Sequence, residues 1–258
     1  MQLISSNTIK AFTFLLKQTD GFYNYYKLLT TLVSSKISSS TVANPVDIKF
    51  KNFYLRFLPS QGELTPLEEI KILSEKLFLR ENISDWVVID CGANIGLFSL
   101  ALKDAAFIIA IEPSPNTYSR LTYNFEKNDI NGIALNNAVS SKEGELAMTI
   151  NENSSVLSQV SKNGNFIVKA LTLDWIVTQH NLQVVDLLKL DVEDHEIEVL
   201  IGAEKSLISN LIKRIFFEYR TQVALNDIET YLSKFGYSRT FISDPDCGNG
   251  LWSLNLLK

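Results

Sequence analysis

The chain has 258 residues, 46% hydrophobic and 21% charged, with a formal net charge of −5. That length and mix suit one α/β domain with a large core, alone or with a small appendage. The acidic balance and the lack of a basic stripe argue against a nucleic-acid partner, Cys91 and Cys247 are too few for a disulfide framework or zinc cluster, and no apolar run reaches the ~18 residues that cross a bilayer.

Residues 1–64 read as an extension of helices and short strands. Ala11 to Leu16 is apolar but lacks the basic start and small-residue cleavage site of a signal peptide, and a cytoplasmic setting is the default. Phe12, Leu15 and Leu16 line one face of an amphipathic helix, and Phe22, Tyr25, Tyr26, Leu28 and Leu29 continue into a second. Packing onto the main domain is the leading use of these helices; a lid, a membrane-surface contact or a homo-oligomer contact are the others. Ser34 to Ser40 is the best linker candidate. Ile48 to Phe57 alternates and is aromatic-rich, which predicts one or two short strands.

The main domain is assigned to 65–258. Thr65-Pro66-Leu67-Glu68 opens a helix with a threonine cap, a first-turn proline and a glutamate three residues after the cap. That helix runs to about Arg80, with Ile70, Leu73, Leu77 and Phe78 inward. Next comes Val87-Val88-Ile89-Asp90-Cys91-Gly92-Ala93-Asn94-Ile95-Gly96, an apolar strand running into an acid, a glycine-bounded turn and a helix. Glycines at a strand-to-helix turn let a nucleotide-like ligand approach the backbone. The G-x-x-x-G spacing is not the G-x-G-x-x-G of dinucleotide sites. A carboxylate at the strand end repels a pyrophosphate and suits a cation, so the turn fits S-adenosylmethionine (SAM), with its sulfonium and ammonium, better than NAD. Cys91 is read as a packing residue.

A second apolar strand, Phe107 to Ile111, ends in Glu112, 22 residues after Asp90; an acid at about that spacing meets ribose hydroxyls in Rossmann-like units. A helix starts at Ser114-Pro115 with Tyr118, Leu121 and Phe125 on one side, and a third strand is expected over Ile133 to Val139. Residues 144–174, rich in Asn and Ser, read as a β-hairpin insertion bordering the site. A helix over Leu173–His180 follows, ending in His180 as a C-terminal charge partner. The fourth strand, Val184 to Asp191, leads to a helix whose buried stripe is Ile197, Leu200, Ile201 and Leu207. Arg214 to Glu218 is the fifth strand, and Tyr237–Ile242 with Leu251–Leu257 form a hairpin closing the sheet edge.

Strands alternating with helices predict a parallel sheet covered on both sides, whose ligands bind at the carboxyl ends of the strands. Those ends carry Asp90, Glu112, Asn137, Asp191 with Glu193, and Glu218, a costly set without a cation or polar ligand between them. Period-two alternation places Lys189, Asp191 and Glu193 on one face while the strand lasts. Methylation of a hydroxyl requires removal of its proton, and His195, whose ordinary pKa is near neutrality, is a candidate base. Asp191 and Glu218 have the hard oxygens to share a divalent cation, but Lys189 can neutralise the same carboxylates, and a tightly bound metal is not favoured.

With these residues in view, the chain resembles the FkbM-type SAM-dependent methyltransferases over about residues 86–220. The likeness rests on Asp90 to Gly96, Glu112-Pro113, Thr172-Leu173-Asp174, and above all Lys189-Leu190-Asp191-Val192-Glu193 leading to Glu196, Val199, Leu200, Gly202 and Ala203. It implies a class I methyltransferase fold, with a seven-stranded sheet whose last strand is antiparallel. It also implies O-methylation of a sugar, polysaccharide or natural-product acceptor. Asp90, Gly92, Asn94 and Gly96 would then line the methionine and ribose of SAM, Glu112 would take the ribose hydroxyls, and Asn137 would lie near adenine. Lys189, Asp191, Glu193, His195 and Glu218 would surround the acceptor. The family has glycine where this chain has Asp194, so the alternative is a SAM-binding module without turnover. Methylation of nucleic acid is disfavoured, since no Asn-Pro-Pro-Tyr-like signature follows the fourth strand.

Overall fold

A central sheet orders the molecule. The computed structural model describes residues 44–50, 52–58, 63, 81–150, 159–161 and 163–255; the N-terminal helices, the serine-rich linker and the helix expected from Thr65 to Arg80 lie outside them. Strands β1 (Val46–Lys49) and β2 (Tyr54–Phe57) pair antiparallel as a hairpin. The main domain then runs β3 (Val87–Cys91), α1 (Leu97–Ala101), β4 (Phe107–Ile111), α2 (Pro115–Lys127), β5 (Gly132–Leu135), β6 (Ala138–Val139), β7 (Gly144–Thr149), β8 (Gln159–Val160) and β9 (Phe166–Leu171). It continues with α3 (Leu173–Gln179), β10 (Leu187–Leu190), α4 (Glu196–Ile201), α5 (Glu204–Ile208), β11 (Arg214–Tyr219), α6 (Gln222–Ser233), β12 (Tyr237–Ile242) and β13 (Gly248–Leu254).

Seven strands form the main sheet in the order β12-β13-β11-β10-β3-β4-β5. All pairs from β11 to β5 are parallel, whereas β13 is antiparallel to both neighbours. The C-terminal hairpin forms as expected, but its second strand inserts between β11 and β12, so β12 closes the edge. β4 is a continuous apolar run, and β3 and β10 are apolar apart from the buried Asp90 and Lys189, because both faces of a parallel sheet are covered. Ile89, Ile109, Leu188, Leu190 and Phe217 pack on one face, and Val88, Ala110, Leu187, Phe216 and Leu251 on the other, against Phe98 of α1 and Leu121 and Phe125 of α2.

Two expectations are corrected. The strand foreseen over Ile133 to Val139 divides at Asn136-Asn137: β5 ends the main sheet, while β6 joins a second, four-stranded sheet ordered β6-β9-β7-β8. The helix after β10 is likewise two short helices meeting at Gly202, where a Cβ would lie 2.2 Å from the Ser140 carbonyl oxygen. That break turns Ile201 outward, and the buried stripe is Val199, Leu200, Ala203 and Leu207. The antiparallel partners β7 and β9 occupy the segment read as a hairpin insertion.

The β1–β2 hairpin is fastened by two asparagines four residues apart, Asn124 in α2 and Asn128 at its C-terminal cap. Asn124 accepts the Arg56 N–H at 2.6 Å and donates to the Arg56 carbonyl at 3.0 Å; Asn128 does the same for Tyr54 at 2.6 and 2.8 Å. Side-chain amides thus satisfy the free backbone edge of β2. Ile48, Leu55 and Phe57 pack on Ile95, Leu97 and Leu100, directly behind the glycine turn.

Candidate active site

Strand register builds the site. Ile111 pairs with Cys91, Cys91 with Leu190, Leu190 with Phe217, and Glu218 with Asn249. Carried one residue past the parallel strand ends, these registers align Glu112, Gly92, Asp191, Glu218 and Asn249 in one row across five strands. Two residues lower on the same face lie Ala110, Asp90, Lys189, Phe216 and Leu251. A polar upper row therefore rests on a tier that is charged only at its centre.

A glycine-bounded turn follows β3. Gly92, Asn94 and Gly96 have φ of +72°, +51° and +85°, the left-handed region that glycine and asparagine tolerate best. A Cβ at Gly92 would lie 1.8 Å from the Asp191 carbonyl oxygen. Asn94 Oδ1 accepts the Ile95 N–H at 2.8 Å, which stabilises its own left-handed turn. Glu112 is clamped against this turn: Oε2 accepts the Asn94 N–H at 3.0 Å, and Oε1 the Ser114 N–H at 2.9 Å. Burial raises its carboxyl to a pKa of about 7, against the pull of these two N–H donors. Asn136, absent from the sequence expectations, stands at the register position beside Glu112 and donates to the carbonyls of Glu112 at 2.9 Å and Pro113 at 3.0 Å. Asn137 instead donates to the Lys169 carbonyl of β9 at 3.1 Å.

Asp90 is fully buried beneath the turn, with Oδ2 accepting from Ser99 Oγ of α1 at 2.7 Å. Its register partner Lys189 lies 3.4 Å from Oδ1, an ion-pair contact without hydrogen-bond geometry. The Lys189 ammonium donates upward to the Gly92 carbonyl at 2.9 Å and to Asp191 Oδ2 at 3.3 Å. Lys189 thus links the glycine turn to the Asp191 carboxylate. Breaking such a buried pair from one side costs about 3–5 kcal/mol. Cys91 points to the opposite face, where burial pushes its thiol well above the ordinary range.

Beyond Lys189 the acids converge. Glu218 stands beside Asp191 in the row, and burial together with the Asp191 charge raises it to about 7 despite Arg220 nearby. Arg220 forms an ion pair with Glu193 and lies 3.8 Å from Glu218. Glu193 is also raised to about 7, chiefly by burial. Strand alternation does not put Glu193 there: β10 stops at Leu190, and Glu193 and Asp194 have φ of +58° and +68°. Two consecutive left-handed residues fold the chain back, and Glu196 holds the loop by accepting the Val192 N–H at 3.0 Å. Asp194 has the conformation glycine adopts most readily.

His195 is separated from this group. Its Nε2 pairs with Ser140 Oγ at 2.9 Å, beside β6, and burial lowers its pKa. The Thr172-Leu173-Asp174 block is structural: Thr172 caps α3, and Asp174 accepts from Lys205 N at 3.0 Å and from Ser206 N and Oγ at 2.9 and 2.6 Å. Among the described residues no group of three His, Cys, Asp or Glu could hold a metal ion. Arg220 had a sequence signal in its two-residue spacing from Glu218; Asn136 and Asn249 had none, because register alone aligns them.

The sheet order, the glycine turn and the acid after β4 define a class I methyltransferase fold. A family model described as Methyltransferase FkbM domain matches residues 90–239, and the chain belongs to that family of SAM-dependent methyltransferases. Hexuronic acid methyltransferase AglP of Haloferax volcanii is 27% identical over 205 residues, which are 77% of this chain and 84% of that protein. Methyltransferase 1 of Beauveria bassiana is 30% identical over 159 residues, 50% of this chain and 64% of its own. A crystal structure of an FkbM methyltransferase from Methylobacillus flagellatus KT matches with a TM-score of 0.54 at 15% identity, over 95% of this chain and 58% of that one. This chain thus spans less than two thirds of the fungal protein and of the bacterial structure. No helix among the described residues is long and apolar enough to cross a membrane.

Proposed function

We propose that this chain methylates a hydroxyl of a carbohydrate acceptor, with the Asp191–Glu218 pair as the base. The observation that carries the proposal is the polar row, which runs from a cradle suited to a cationic nucleoside, at Gly92 and Glu112, to the neighbouring carboxyls of Asp191 and Glu218. The left-handed turn, the buried Asp90 beneath it and the Glu112 carboxyl fit SAM, which supplies a methyl group on a sulfonium when bound. Gly92, Asn94 and Gly96 would receive its methionine and ribose, and Glu112 its ribose hydroxyls. As the acceptor oxygen forms its bond to the methyl carbon and the carbon–sulfur bond breaks, the hydroxyl proton passes to the carboxyl pair. A base raised to about 7 is matched to that task near neutral pH.

A sugar suits the site, because carboxylates accept from hydroxyls. The Haloferax relative is named for a hexuronic acid, and uronic acids are therefore among the acceptors to test. A polynucleotide suits the same site poorly, since Asp191, Glu193 and Glu218 would face its phosphates. The setting proposed is the cytoplasm, which fits the unpaired, exposed Cys247.

The test is turnover of labelled SAM on the methyl glycosides of glucose and glucuronic acid, comparing wild type with Glu218→Gln and Asp191→Asn. Loss of the base should cut kcat about 10²–10⁴-fold and leave S-adenosylhomocysteine (SAH) affinity within a few-fold. Unchanged turnover in Glu218→Gln would refute the assignment of the base.

A further inference from the structure

The polar row does not end at the base. Asn249 of β13 stands directly opposite Glu218 of β11, so the two side chains share a face. Asn249 is only 9% exposed, and its Oδ1 is buried with no hydrogen-bond partner among the described residues. Buried polar atoms are nearly always paired within a fold, and an exception calls for an explanation.

The residue is held rigidly. Its N–H donates to Ser243 Oγ at 2.8 Å, and its carbonyl accepts the Ser243 N–H at 2.9 Å. Both neighbours are glycines in tight contact: a Cβ on Gly248 would lie 2.3 Å from Ser243 Oγ, and one on Gly250 2.1 Å from the Trp252 ring. The Tyr219 hydroxyl donates to the Asp244 carbonyl and pins the turn between β12 and β13. The fold thus locks the backbone of Asn249 while leaving its amide oxygen unused.

We propose that Asn249 is a specificity-determining residue whose amide recognises an acceptor hydroxyl neighbouring the one that is methylated. This rests on the carbohydrate reading above. Glu112 and Gly92 mark the donor end of the row, Asp191 and Glu218 its reacting centre, and Asn249 the position one strand further out. Adjacent strands are about 4.8 Å apart, a spacing on the scale of a sugar ring. An amide donates and accepts at once, as a hydroxyl does. Being neutral, it adds no charge beside the Asp191–Glu218 pair.

The experiment compares wild type, Asn249→Ala and Asn249→Ser on whichever methyl glycoside wild type turns over, and on that glycoside's deoxy analogues. Asn249→Ala should raise acceptor KM about tenfold or more, with kcat and SAH affinity little changed and Tm not lowered. Asn249→Ser should recover part of the loss. Wild type should discriminate against one deoxy analogue, and Asn249→Ala should lose that discrimination. Equal acceptor KM in wild type and Asn249→Ala would overturn the assignment, as would a joint fall in Tm, SAH affinity and kcat, which marks a structural role. Failure of wild type on every glycoside would instead overturn the carbohydrate reading itself, and this inference with it.

Discussion

Under the proposed function, Glu112 is the point at which pH reaches the SAM site. Burial raises its carboxyl to about 7, yet accepting the two ribose hydroxyls would require the ionised form. If SAH binds only that form, the apparent Kd scales as 1 + 10^(pKa − pH), and affinity falls about tenfold from pH 8 to pH 6. At pH 7 about half of the protein must release a proton on binding, which calorimetry detects as a dependence of the heat on buffer ionisation enthalpy. The sign extends to stability. The folded-state value lies above the ordinary 4.5, so the contribution of Glu112 is full below that value and is lost as pH rises to about 7. Added SAH should offset the loss by mass action. In Glu112→Gln the amide cannot accept from both Asn94 N–H and Ser114 N–H, so SAH affinity should fall and its pH slope should flatten. The variant also separates Glu112 from Glu193, Glu196 and Glu218, which have similar values. Wild-type affinity constant from pH 6 to 8, or an unchanged slope in Glu112→Gln, would refute the reasoning.

Gly92→Ala, with φ of +72° and a Cβ driven onto the Asp191 carbonyl, should abolish SAH binding and lower Tm; a calorimetric Kd within threefold of wild type would contradict the close approach at that turn. Asp194→Gly should relieve a left-handed aspartate by about 1 kcal/mol, a Tm rise of about 2–4 °C, read by scanning calorimetry. Asp174→Ala removes three hydrogen bonds from the start of α5 and should cost about 1–2 kcal/mol in urea unfolding. SAH affinity should hold in that variant, because Asp174 lies away from the donor turn.

How much of this was legible depended on the range of the forces involved. Apolar runs at Val87–Ile89 and Phe107–Ile111 announce strands because burial on both faces favours apolar side chains. The glycine turn is equally local, since positive φ at Gly92 and Gly96 is a property of those residues. The need for glycine at position 202 was hidden, because the group it makes room for is the Ser140 carbonyl, distant in sequence. Alternation grouped Lys189 with Glu193, but consecutive left-handed residues after the strand overrode it.

The sequence by itself determined the class of fold, the glycine turn after β3 with the acid after β4, and the family, because strand period, turn chemistry and motif spacing are encoded within short stretches of chain. Only the tertiary structure decided which polar groups face one another. Strand register set Lys189 beside Asp90 and under Gly92, placed Asp191 next to Glu218, carried the row on to Asn249 and left His195 with Ser140. Register is settled by pairing between strands far apart in sequence, through the insertion of β13 between β11 and β12, and no single segment contains it.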